Sequence, residues 1–126
     1  MEEIKGGVIM ESILTSIKKL IGITEDYKHF DTDLIIHINS VFMILSQMGI
    51  GPDNGFSISD ETITWNDYLP EGNENFEAVK TYMYLKTKLV FDPPQSSSTM
   101  EAMKQTISEL EWRLNVEAEQ KGKEVF

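Results

Sequence analysis

The chain has 126 residues, with 11 Lys plus Arg against 21 Asp plus Glu, a formal net charge of −10 and no cysteine. A domain of this length buries roughly 65% of the surface of its unfolded chain, so it needs neither disulfide nor metal to fold. The acidic balance argues against free-standing nucleic-acid binding by phosphate neutralisation, and the missing thiols exclude cysteine nucleophiles, disulfides and Cys-based zinc or iron–sulfur sites.

Residues 1–9 contain Glu2, Glu3, Lys5, Gly6 and Gly7, with little periodicity. They are expected to be a poorly ordered or non-native extension, and Met10 reads as a candidate natural start, since the codons for Lys5-Gly6-Gly7 can be written as a purine-rich ribosome-binding site. An acidic start is no signal peptide, and the longest apolar run, Val41 to Leu45, is far too short to span a membrane, so a soluble, untargeted protein is expected.

From Met10, apolar residues at 10, 13, 14, 17, 20 and 21 give helical spacing, with Gly22 placed as a cap. A polar connection reaches Asp31-Thr32, either of which can cap a second helix running to about Met48. Ten of the fifteen residues from Leu34 to Met48 are apolar. Such a helix should be enclosed by other helices or by a neighbouring subunit. Gly49, Gly51-Pro52 and Asn54-Gly55 end it. Phe56/Ile58 and Ile63/Trp65 then alternate with Ser57 and Thr64, which predicts a β-hairpin, followed by a loop from Asp67 to Asn73. A third helix from about Asn75 breaks at Asp92-Pro93-Pro94. Ser98-Thr99-Met100-Glu101 has capping-box form and opens a fourth, whose seam is Met100, Met103, Ile107, Leu110 and Leu114. The expected fold is mainly α: a small four-helix domain over residues 10–119, with a β-hairpin inserted between helices two and three, and a flexible tail at 120–126.

Little here carries catalytic chemistry. His29, Asp33 and His37 lie four residues apart, but His29 precedes the helix cap and Asp33 suits the first turn of any helix, so no metal site is expected. His37 reads instead as one point of a polar stripe with Ser40 and Gln47. The glycines around Ile50 follow a helix and lack the phosphate-loop lysine, and no serine or carboxylate pair has the neighbours that catalysis requires. No catalytic residue and no cofactor is expected. Trp65 reads as the anchor of the hairpin, Tyr82 as core, and Trp112, off the helix-four seam, as an exposed interface anchor.

Charge is unevenly spread. Between His29 and Val79 there is no Lys or Arg, but nine acids: Asp31, Asp33, Asp53, Asp60, Glu61, Asp67, Glu71, Glu74 and Glu77. Asp53, Asp60, Glu61, Asp67 and Glu71 make the hairpin region a candidate partner surface or repulsive lining. Lys80, Lys86 and Lys88 are the cationic concentration, suited to weak contact with passing DNA or to ion pairs with a neighbouring subunit.

Ile38-Asn39-Ser40-Val41-Phe42, Gln47-Met48-Gly49-Ile50-Gly51-Pro52, Trp65, the stretch from Lys80-Thr81-Tyr82 to Phe91-Asp92-Pro93-Pro94, and Glu111-Trp112-Arg113-Leu114-Asn115 follow one another in a distinctive order. With the order of elements, they resemble the phage head-tail connector family, the head-completion or adaptor proteins of tailed phages and prophages. The resemblance implies a virion protein of the neck, made in the bacterial host cytoplasm. Such a protein forms a homo-oligomeric, dodecameric ring under the portal protein, lets genomic DNA pass without specific binding, and docks a downstream neck or tail-completion protein. Trp112, Arg113, Asn115 and Val116 are then the portal-side candidates. The alternatives are a non-viral acidic helical module binding a basic partner through residues 49 to 79, and a metal-dependent enzyme using His29, Asp33 and His37.

Overall fold

Ser12 sits in extended backbone and its hydroxyl accepts the Thr15 amide, so the first helix, α1, begins at Ile13 and runs Ile13–Leu20 rather than starting at Met10. The computed structural model describes residues 3–5, 8–70 and 72–124, and five helices carry its fold: α1, α2 (Asp31–Gln47), α3 (Trp65–Tyr68), α4 (Phe76–Phe91) and α5 (Ser97–Glu124). Within the N-terminal extension, β1 (Glu3–Lys5) pairs antiparallel with β2 (Val8–Met10), with Ile4 opposite Ile9.

The mainly α expectation holds, but the β-hairpin does not form. Each of its proposed strands finds a partner elsewhere. The Asn39 side-chain amide accepts the Ile58 amide at 2.7 Å and donates to the Ile58 carbonyl at 3.0 Å, doing from α2 what a neighbouring strand would do. Ile63 accepts from the Ile13 amide and Trp65 donates to the Glu11 carbonyl, both at 3.0 Å, leaving only a single Ser12–Thr64 bridge. The segment then turns helical. Asp67 accepts from the Thr64 amide at 2.8 Å and from its hydroxyl at 3.1 Å, a capping arrangement that nucleates α3 where a loop was expected.

Two other caps also move. Phe30 occupies the N-cap position of α2 with no side-chain cap, because the Asp31 carboxylate is drawn to Lys18 instead. In α5 the capping hydroxyl belongs to Ser96, which accepts from Thr99, so the helix starts one residue before the expected Ser98 cap.

α4 is the hub, packing against α1, α2 and α5. Its Val79, Tyr82, Met83 and Thr87 are buried, and the Thr87 hydroxyl is satisfied by the Met83 carbonyl at 2.7 Å. Around it lie Ile13, Leu14 and Ile17 of α1, Leu34, Ile38, Val41, Phe42 and Leu45 of α2, and Ile107 and Leu114 from the expected α5 seam. Trp65 is the anchor that the sequence implies, 1% exposed, with its indole N–H donating to the buried Ser16 hydroxyl at 2.9 Å. It reaches the core from α3, not from a strand. Truncating a buried indole of this kind costs about 3–5 kcal/mol.

α2 is only partly enclosed. Its inner stripe is buried, but Ile36 and Met43, seven residues apart on the other face, remain 65% and 56% exposed.

Candidate interaction surface

Four of the five acidic candidates can be placed. Asp53, Asp60, Glu61 and Asp67 are all exposed, whereas Glu71 lies outside the described residues. They are not equivalent. Asp60 accepts from the hydroxyl and the amide of Thr62, and these bonds hold its carboxyl below the ordinary aspartate range. Asp67 belongs to the cap of α3. Glu61 lies 3.9 Å from Lys28, with both side chains more than half exposed, a pairing of small energetic consequence. Asp53 follows Pro52 in the turn after α2. These four carboxylates therefore face water, but two of them, Asp60 and Asp67, also hold local backbone in place.

Two of the cationic candidates already have partners within the chain. Lys80 pairs with Glu11 at 3.1 Å and lies over the rings of Phe76 and Trp65, at 5.3 and 5.9 Å from their centroids. Lys88 is hydrogen-bonded to Asp92 at 2.8 Å, which holds its ammonium above the usual lysine range. Lys86 lies 5.9 Å over Tyr82. That ring is in the core as expected, and its hydroxyl donates to Glu111 at 2.8 Å; burial, reinforced by the carboxylate, pushes its ionisation well above that of free tyrosine.

Along α5, Trp112 is 66% exposed, Arg113 pairs with Glu109 at 2.8 Å on the open surface, Asn115 is exposed and Val116 half-buried. A tryptophan this open, on a helix whose opposite stripe is buried, is apolar area that the monomer leaves in water.

His29, Asp33 and His37 are not brought together. His29 stacks edge-on against Phe30 at 4.9 Å in the α1–α2 connection, and His37 meets Phe91 at 5.7 Å on the α2–α4 side. Among the described residues, no group of three His, Asp or Glu side chains could hold a metal ion. Nor, among them, is any helix long and apolar enough to cross a membrane.

Residue-by-residue reading missed two features. Lys18 is 2% exposed, and its ammonium donates to the Glu25 carbonyl (3.1 Å), the Tyr27 carbonyl (2.6 Å) and Asp31 (2.8 Å), using all three donors. The signal was present: Lys18 falls on the apolar stripe of α1, four residues after Leu14 and three before Ile21. The second is the packing of Tyr68 against Gly51, which has no signature in spacing.

The model of the family described as phage connector protein matches residues 13–121. The chain belongs to the phage connector family. No curated protein and no solved structure matches it. The connector match covers all of α1 to α4 and most of α5, and omits the β1–β2 ribbon. A head-tail connector is thus what the sequence resemblance indicated, and the reading as a non-viral regulatory module is superseded.

Proposed function

We propose that the chain is a structural adaptor of the phage neck, acting without a catalytic step. It forms a homo-oligomeric ring, dodecameric as in the resemblance, beneath the portal protein, extends the DNA channel and docks the next neck or tail-completion protein. The observation that carries this reading is the exposed face of α2. Ile36 and Met43 remain mostly in water on a helix whose other stripe is fully buried, and a head-to-tail neighbour in a ring would cover such a face. Trp112 and the adjoining Arg113, Asn115 and Val116 are the portal-side candidates, and the acidic loops either line the channel or face a basic neck protein. An acidic lining favours passage, because it repels the DNA backbone that a basic lining would hold.

The test is to image particles assembled with the native chain and with Ile36→Glu/Met43→Glu. Density for this protein between portal and tail is expected in the first, and its loss in the second. Native particles whose neck lacks the chain would end the proposal.

A further inference from the structure

Asn54-Gly55 lies in the turn that follows α2, beside Asp53 but without its charge. The chain bends back at Pro52: the Gly55 amide donates to the Pro52 carbonyl at 3.0 Å, and Asn54 takes the third position of the turn. Asn54 is exposed. Gly55 adopts φ +83°, and a Cβ there would meet only the Ser46 hydroxyl oxygen, at 3.8 Å. The Gly55 nitrogen therefore follows a solvent-facing carboxamide directly, with no side chain of its own to shield it.

The other five asparagines are placed differently. Asn39 lies within α2, and its side-chain amide is engaged at both ends by Ile58. Asn66 and Asn115 lie within α3 and α5 and precede Asp67 and Val116, so helical backbone and a bulky neighbour both stand in the way. The Asn73 carboxamide oxygen accepts the Asn75 amide at 2.8 Å, and Glu74 follows. Asn75 is buried and precedes Phe76. Exposure, an adjoining glycine and non-helical backbone coincide at Asn54 alone.

We propose that Asn54 is a site of spontaneous chemical modification, converted through a cyclic imide with Gly55 into a mixture of aspartyl and isoaspartyl linkages. The Gly55 backbone nitrogen gives up its proton and attacks the Asn54 Cγ. The new N–C bond closes a five-membered ring as the Cγ–Nδ2 bond breaks, and Nδ2 takes up the proton and leaves as ammonia. Water then adds to one of the two ring carbonyls. Opening at Cγ leaves an ordinary aspartate; opening at the main-chain carbonyl routes the chain through the side chain and adds one carbon to the backbone. Nothing is oxidised or reduced, and water is the only co-reactant. Either product puts a second carboxylate beside Asp53, and the isoaspartyl form cannot keep the geometry of the Gly55–Pro52 hydrogen bond. That bond also sets the pace, because its donor nitrogen is the nucleophile and must first be released. The loop that ends α2 thus gains negative charge with age, whatever partner it faces.

The test ages the full chain in mildly alkaline buffer and follows it by isoelectric focusing and by chymotryptic peptide mapping, since trypsin has no site between His29 and Val79. An acidic band should grow with time and carry both aspartate and isoaspartate at position 54. It should stay absent from Asn54→Gln, whose longer side chain would need a larger ring, whereas Asn54→Asp should focus with the aged band from the start. Unfolding the chain in guanidinium chloride should raise the rate at position 54 about fivefold, the worth of one exposed backbone hydrogen bond. Modification of Asn73 or Asn115 as fast as that of Asn54 in the native chain would overturn the proposal. So would an acidic band that persists in Asn54→Gln, aspartate with no isoaspartate, or no reaction until the chain is unfolded.

Discussion

Lys18 is a charged residue spent entirely on shape. Its ammonium gathers two carbonyls and the Asp31 carboxylate, which ties the end of α1 to the connection leading into α2 and fixes where α2 starts. Removing one member of a buried pair strands the other, so Lys18→Met, which preserves the stem's packing, should lower stability by about 2–3 kcal/mol in a denaturant titration; a loss under about 0.5 kcal/mol would mean that the pair is a passive contact. Gly51 makes the complementary point with an absent side chain. Gly22 and Gly51 both adopt positive φ, +86° and +94°, but nothing lies within 4 Å of a Cβ at Gly22, whereas Tyr68 blocks one at Gly51. Gly22→Ala should therefore cost only the left-handed backbone penalty of about 1–2 kcal/mol. Gly51→Ala adds overpacking against a buried ring and should lose about 3 kcal/mol or more. Placing both changes in a Tyr68→Ala background checks the cause: the gap between the two glycines should then close.

At the scale of elements, periodicity located four of the helices, and chain breakers at Gly49 and at Asp92-Pro93-Pro94 ended two of them within a residue or so. What could not be read were the non-local bonds. Two apolar positions on either side of a polar turn look like a hairpin in any sequence, and only the folded chain reveals that Asn39 pairs with Ile58 and that residues 11–13 pair with 63–65. Capping hydroxyls were misplaced for a related reason, since a run of serines and threonine before α5 offers several equivalent starts. The exposure of Trp112 was legible, being set by its own helix, but the packing of Tyr68 against Gly51 was not, because two separate segments build it. The α2–α4 contact carries a titratable group. His37 is half-buried against Phe91, and its Nε2 is buried without a partner. Burial depresses its pKa below the ordinary 6.5, and the Lys86 charge adds to this, while the Lys86 backbone opposes it. A depressed histidine is protonated more readily in the unfolded chain, so stability should be fully present above pH 6.5 and be lost as pH falls from there through the folded-state pKa. Thermal unfolding between pH 7.5 and 5 should register that decline, and His37→Phe should flatten it. An unchanged slope in the variant would assign the acid sensitivity to carboxylates instead.

For the whole molecule, the decisive quantity is not the net charge of −10 but its placement. Acids that cap helices are fixed by folding and say little about partners, whereas acids that face water without a structural duty can be removed without disturbing the fold. Asp67 belongs to the first kind, and neutralising it would confound any assembly assay with loss of the α3 cap. Asp53 and Glu61 belong to the second, and Asp60 is intermediate, since asparagine there can still accept from Thr62. The informative variant is therefore Asp53→Asn/Asp60→Asn/Glu61→Gln, which removes three negative charges from the exposed loops with a stability change within about 0.5 kcal/mol per site. If the loops line a channel, DNA should be retained or delayed during ejection while the neck assembles normally, and raising the salt concentration should relieve the delay by screening the DNA charge. If they dock a basic neck protein, the variant should instead yield particles with an incomplete neck, and the parent interaction should weaken with salt. Both outcomes are read from the same particles, by imaging the neck and by following DNA release. Fully infectious particles with a normal neck and normal release would reduce the acidic field to a solvated surface.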